Sequence, residues 1–354
     1  MASVLIPTND QSLTPYLVDG YRKLGFEVVT GTANFFLCAH SFDLVHILWP
    51  EELTGWKSPT TMQLKEVGDA AKWWATQSSI IISVNNLYPH GREGEEASKA
   101  LYEIFYKQCD LILHHCEASR RLVNAEFPVS VERRNVVTTM FGYHHHLPLR
   151  FDRELARSSF GFEPDEFVVL VFGALRNRSE IALLRSGFAS ARVPRKRLLM
   201  AGRYVEPLGR WERRWRNFTW NQWLRQQRAI VATDFIPDDQ VHRYFEAADA
   251  VIIPRLCDLS SGVIGMGMTF GTLVIAPNHG AFPDYLTGTP NLLYQSADAH
   301  SMAKVIENAA QLDRTAVAHQ NRAIVAEWTW EHILQTALAD LPVMSLPKRK
   351  HAIA

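Results

Sequence analysis

The chain has 354 residues, room for about two domains with a sizeable core in each. Lys and Arg number 37 and so do Asp and Glu, and this net charge of zero argues against a dedicated nucleic-acid binder, while 47% hydrophobic against 21% charged residues excludes a disordered chain. The longest apolar runs, such as 167–175, are far shorter than the roughly 20 residues that span a bilayer.

In chain order, short apolar runs at 4–6, 26–29, 44–48, 80–84 and 111–113 read as strands, with helix-length segments at 15–24, 61–76 and 95–106 between them. Residues 144–166 are mixed: His144, His145 and His146, then Leu147-Pro148, then a charged helix at 152–159. Three adjacent histidines cannot all face one ion, so this segment reads as a connector rather than a metal site. The pattern restarts with a buried-strand run at 167–172, a helix at 179–188, and strands at 197–201, 230–231, 250–253 and 274–276. Strands alternating with helices imply βαβ units and a mostly parallel sheet. The expectation is an α/β protein of two doubly wound halves: residues 1–148, residues 149–326, and a last helix with a basic tail at 327–354. Ligands of such sheets bind outside the carboxyl ends of the strands, here in a cleft between the halves. The first residues lack the basic stretch and cleavage site of a secretory signal. Cys38, Cys109, Cys116 and Cys257 form no Cys-x-x-Cys, which suits a reducing, cytoplasmic compartment.

The most informative segment is 250–277, which reads as strand, loop, helix, turn, strand. Ser260 and Ser261 fall where the helix starts, and its first N–H groups together with Gly262 can hold an anion. An ordinary capped helix fits the same residues. Arg176 and Arg178 follow the 167–172 strand, where guanidinium groups either neutralise phosphate oxygens or lie solvated at the surface. Residues 203–228 hold seven arginines interleaved with Trp211, Trp215, Trp220 and Trp223, and Trp211, Trp215 and Phe218 can share one helical face. Such a helix is either a membrane-surface contact or a core-packed helix with a solvated basic face.

The 250–277 segment resembles the donor-binding region of glycosyltransferases with the GT-B fold, most closely that of bacterial exopolysaccharide β-mannosyltransferases and more distantly that of glycosyltransferase family 4. In the former a Ser-Gly pair opens the helix, as Ser261-Gly262 does here. Family 4 enzymes carry two glutamates separated by seven residues, and those positions are Asp258 and Met266 in this chain. Other stretches are similar to the same transferases: His46-Ile-Leu-Trp49-Pro50-Glu51, Asn85-Asn86-Leu-Tyr-Pro89-His90, Thr14-Pro15-Tyr16, and Phe172-Gly173-Ala-Leu-Arg176. The usual lysine three residues after that arginine is Ser179 here.

The resemblance implies a GT-B fold of two Rossmann-like domains, an acceptor domain followed by a donor domain, with the Trp328–Trp330 helix crossing back to the first. It implies a glycosyltransferase moving a hexose from a nucleotide sugar, GDP-mannose or a UDP-sugar, to a glycan or lipid-linked acceptor at the inner membrane face. Donor contacts would come from Gly173, Arg176, Arg178, Phe235, Ile236, Asp258, Ser260, Ser261 and Gly262. The chain has no Asp-x-Asp, so no metal cofactor is expected, and arginine plus the helix start would carry the leaving diphosphate. Glu51 or His90 would be the general base of an inverting displacement. A binding protein derived from such an enzyme is the alternative, motivated by the departures at Met266, Asn85 and Ser179.

Overall fold

The computed structural model describes residues 2–10, 13–89, 95–143, 147, 152–202, 210–256, 261–339 and 341, with the backbone alone for 210–217. The chain divides into two compact units: Met1–Phe141 with Trp328–Ala354, and Gly142–Glu327. His90, His144–His146, Asp258 and Ser260 lie outside the described residues, as do the side chains of Trp211 and Trp215.

In the first unit the order is β1 (Ser3–Ile6), α1 (Thr14–Lys23), β2 (Glu27–Thr30), α2 (Thr32–Leu37), β3 (Leu44–Ile47), α3 (Thr61–Gln77), β4 (Ser79–Ser83), α4 (Glu96–Gln108), β5 (Leu111–His114), α5 (Glu117–Glu126) and β6 (Arg134–Val137). The six strands form one parallel sheet in the order β2-β1-β3-β4-β5-β6. All four residues of β3 and of β5 are buried, as a parallel sheet covered on both faces requires.

The second unit runs α6 (Arg153–Ser159), β7 (Phe167–Phe172), α7 (Arg178–Ser190), β8 (Lys196–Ala201), α8 (Arg210–Gln226), β9 (Ile230–Ala232), α9 (Asp238–Ala247), β10 (Ala250–Ile252), α10 (Gly262–Phe270), β11 (Leu273–Pro277), α11 (Phe282–Leu286), β12 (Leu292–Tyr294), α12 (Ala299–Ala309) and α13 (Arg314–Ala326). Its sheet is also parallel, in the order β12-β11-β10-β7-β8-β9. Counted from β7, that is the 3-2-1-4-5-6 order of the Rossmann fold. The last helix, α14 (Trp330–Leu338), belongs to the first unit and packs on α1. Gly20 permits this, since a Cβ there would lie 2.7 Å from the Trp330 Cβ.

Three features bear on the sequence expectations. The units part after Phe141, ahead of the expected boundary at 148, because the Tyr143 N–H donates to Thr269 Oγ1 and ties the connector to the second unit. Strands β6 and β12 are additional to the expected ones. Both lie at sheet edges, where half-buried residues carry a weak apolar signal. Of the two readings of α8, the part with described side chains fits the core-packed one: Trp220 and Trp223 stack 5.0 Å apart and are buried with Leu224, while Phe218 is exposed. Among the described residues no helix is long and apolar enough to cross a membrane.

Candidate functional site

In the second unit β7 and β10 are neighbours whose following connections go opposite ways, which opens a crevice at their carboxyl ends. Strand β7 ends at Gly173, whose N–H donates to Ala201 O and whose φ of 87° is one that glycine adopts readily. Gly202, past the end of β8, stands against it: a Cβ on Gly202 would lie 2.0 Å from Gly173 O. Two glycines therefore let the β7 and β8 ends close together and leave backbone at the edge of the crevice.

Helix α7 starts at Arg178 and is capped by Asn177, whose side chain accepts from Glu180 N at 2.9 Å. Arg176 and Arg178 are thus brought onto one turn, Arg176 half-buried and Arg178 exposed. The buried Glu180 carboxylate accepts from Arg176 N at 2.7 Å and from Arg255 Nη1 at 2.9 Å. Arg255 follows β10, so this one carboxylate fastens together the two loops that flank the crevice.

Beyond β10 the chain enters α10 at Gly262, with Ser261 as its N-cap residue, whose side chain makes no capping hydrogen bond. The helix start presents the positive end of the dipole and amides that have no partner within the helix. Gly262 lets the Tyr143 hydroxyl come close: a Cβ there would fall 2.7 Å from it. Phe235 and Ile236 follow β9 at the same edge of the sheet; Phe235 is 86% exposed and Ile236 is half-buried. Backbone glycines, guanidinium groups, a helix start and an exposed ring together suit a ligand with an anionic middle and an aromatic end.

In the first unit the order reverses between β1 and β3. The buried Glu52 spans that point, accepting from Thr8 Oγ1 and from Asn9 N at 2.6 Å. Glu51, in the short 3-10 turn Pro50–Thr54, is only 1% exposed. Its carboxylate accepts from the Tyr102 hydroxyl at 2.9 Å, and Asn86 Nδ2 stands 3.4 Å away. Burial raises its carboxyl above the ordinary range, and the neighbouring Glu52 charge adds to this. Asn85 donates to Leu48 O at 3.2 Å. His46, in the same stretch, is a core residue hydrogen-bonded to Tyr21 Oη at 2.8 Å and to Ser83 Oγ at 2.7 Å. Burial, helped by His115, lowers it to about 3, so it is neutral.

Residues 166–311 match the family model for glycosyl transferases group 1, which is most of the second unit and less than half of the chain. The whole chain superposes on solved glycosyltransferases. For the sucrose-phosphate synthase of Thermosynechococcus elongatus the TM-score is 0.70 at 15% identity, covering 96% of this chain and 98% of that one. For Anabaena HepE in complex with UDP and glucose it is 0.69 at 14% identity, covering 98% and 100%. The fold is GT-B. The lipopolysaccharide outer core galactosyltransferase WaaB, in its apo form, superposes at 0.62 with 10% identity over 96% and 100% of the chains. No curated protein sequence is a significant match to this one.

Of the expected donor residues with a described position, Gly173, Arg176 and Arg178 sit on one turn of this GT-B unit, Ser261 and Gly262 open the helix after the adjacent strand, and Phe235 and Ile236 lie two strands away at the same edge. The sequence reading missed Glu180, Arg255, Gly202, Tyr143 and Glu52. Glu180 had a signal, standing three residues after the capping Asn177. The others are joined only through the sheet.

Proposed function

We propose that the protein is a nucleotide-sugar-dependent glycosyltransferase, transferring a hexose to a glycan or lipid-linked saccharide. The observation that carries this is the pair of loops at the β7/β10 reversal, with Arg176 fastened to Arg255 through Glu180, and the helix α10 that follows β10. In this reading the α10 amides at Gly262 and the Arg176 and Arg178 guanidinium groups hold the diphosphate and take up its charge as it leaves, so no metal is required. Phe235 offers its face to the nucleobase and Ile236 the adjoining backbone. Asp258 and Ser260 would supply the donor contacts that the resemblance implies for them. UDP is the first nucleotide to test, since HepE is seen with UDP-glucose; GDP follows from the mannosyltransferase resemblance.

Met266 in place of a second glutamate favours an inverting displacement with a protein base. The burial of Glu51 and its hold on Tyr102 favour His90 as that base, with Glu51 positioning the Asn85–Asn86 segment that leads to it. The acceptor then belongs to the first unit and the donor to the second.

Thermal shift with UDP, GDP and dTDP tests donor binding, and absence of stabilisation by all three sinks the reading. Proton NMR of the product anomer tests the stereochemistry. The departures at Met266, Asn85 and Ser179 favour one rival, a nucleotide-sugar-binding protein without turnover. Nucleotide stabilisation without donor hydrolysis or transfer would select it.

A further inference from the structure

Glycosyl transfer leaves one cavity of the second unit unexplained. It measures about 620 Å³, within the usual range for small-molecule sites, and is lined by Arg153, Glu246, Phe270, Arg314, His319 and Arg322 among others. These residues come from α6, α9, the end of α10, and α13. The cavity lies at the amino edge of the sheet: Asp249, which pairs with Arg153, also accepts from Val168 N at the start of β7. Helix α10 separates this edge from Gly262, about 13 Å at 1.5 Å per residue.

Arg314 and Glu246 are not satisfied by their described neighbours here. Arg153 is engaged, donating to Glu246 O, Ala248 O and Asp249. Arg157 closes on Asp249 in the same way. Arg314, by contrast, makes no hydrogen bond or ion pair with any described residue, and its Nε is buried without a partner. Glu246 is 4% exposed, accepts from the Asp152 N–H, and keeps Oε1 buried and unpartnered. Burial pushes its carboxyl up to about 7. Arg322 donates one Nη to Phe270 O at 2.9 Å. A cluster that served only to brace helices would close into pairs, as Arg153, Arg157 and Asp249 do. Instead, excess positive charge and one buried acceptor face a common space.

We propose that this cavity binds a small phosphorylated sugar, its phosphate on Arg314 and Arg322 and a hydroxyl donating to Glu246. Arginine matches the planar, multidentate recognition of a phosphate dianion. Ionised above about pH 7, the buried Glu246 carboxylate calls for a donor that the phosphate dianion lacks, which selects a hydroxylated ester over phosphate alone. The site is separate from the proposed donor site, and its occupancy does not depend on that reading.

The test is calorimetry and thermal shift on the full chain with glucose 6-phosphate, inorganic phosphate, glucose and UDP. Expected is saturable binding of glucose 6-phosphate, at least tenfold tighter than inorganic phosphate, with none for glucose. Arg314→Ala should weaken it at least tenfold while the UDP shift remains, which also reports that the variant is folded; Arg314→Lys should recover part of the loss. Glu246→Gln should bring glucose 6-phosphate closer to inorganic phosphate. Arg176→Ala should leave glucose 6-phosphate binding intact while removing the UDP shift. The proposal is overturned if glucose 6-phosphate does not bind, if Arg314→Ala binds it normally, or if Arg176→Ala abolishes its binding, which would place the ligand in the donor site.

Discussion

Glu180→Leu is the most telling single change. The wild-type carboxylate accepts from Arg255 Nη1 at 2.9 Å and from Arg176 N at 2.7 Å, and both Glu180 and Arg255 are buried. Leucine removes the negative partner and leaves the Arg255 charge in a low-dielectric setting. Breaking a buried pair from one side costs about 3–5 kcal/mol. At about 2–4 °C per kcal/mol for a domain of this size, the melting temperature of the second unit should fall by roughly 6–20 °C. The double variant Glu180→Leu with Arg255→Met removes the orphaned charge, and replacing both members of a buried pair by apolar groups is often neutral, so most of the stability should return. Nucleotide binding should not return with it, because Arg176 N has lost its anchor in both variants. Scanning calorimetry and UDP titration read the two effects separately. A single variant as stable as wild type, or a double variant that binds UDP normally, would refute the idea that this carboxylate organises the site.

Gly202→Ala should lower the stability of the second unit by about 3 kcal/mol, the upper end for overpacking, and abolish the UDP shift, because its Cβ meets the Gly173 carbonyl, which is backbone and cannot rotate away. Phe235→Ala should leave the melting temperature unchanged within about 0.5 kcal/mol, since the ring is exposed. It should weaken nucleotide binding by about 1–3 kcal/mol, the worth of one base–aromatic stack, measured by titration with UDP. The two units should respond to pH in opposite directions. Glu246 keeps its proton up to about 7 when folded and releases it near 4.5 when unfolded, so the second unit loses up to about 3 kcal/mol as pH rises through that window, and Glu246→Gln should flatten the slope. His46 titrates near 3 when folded and 6.5 when unfolded, so the first unit loses stability as pH falls below 6.5, by up to about 1.4 kcal/mol per pH unit. Hydrogen exchange in β3 and β10 at pH 5 and pH 8, corrected for intrinsic rates, resolves the two; equal trends in both strands would contradict this.

Much of the fold is legible in local pattern. Fully buried stretches of parallel strand such as 80–84 and 168–171 must be apolar on both faces, and the helices between them carry a separate period, so the alternation that defines two doubly wound halves shows in the order of residues. The turn Gly173–Arg178 and the helix start at Ser261-Gly262 are legible too, because glycine and capping residues act within a few positions of themselves. What tertiary structure alone decides is which of these turns meet. Strand order brings β10 beside β7, and only then does Glu180 find Arg255 75 residues away. The same holds for Glu51, a general-base candidate from its Trp-Pro-Glu stretch yet buried against Tyr102 on a distant helix. It holds again for Arg153, Glu246, Arg314 and Arg322, which lie on separate elements or turns and face one cavity. Propensity and capping are short-range forces and leave their mark along the chain. Burial and charge pairing act across space, and their partners are chosen by the sheet.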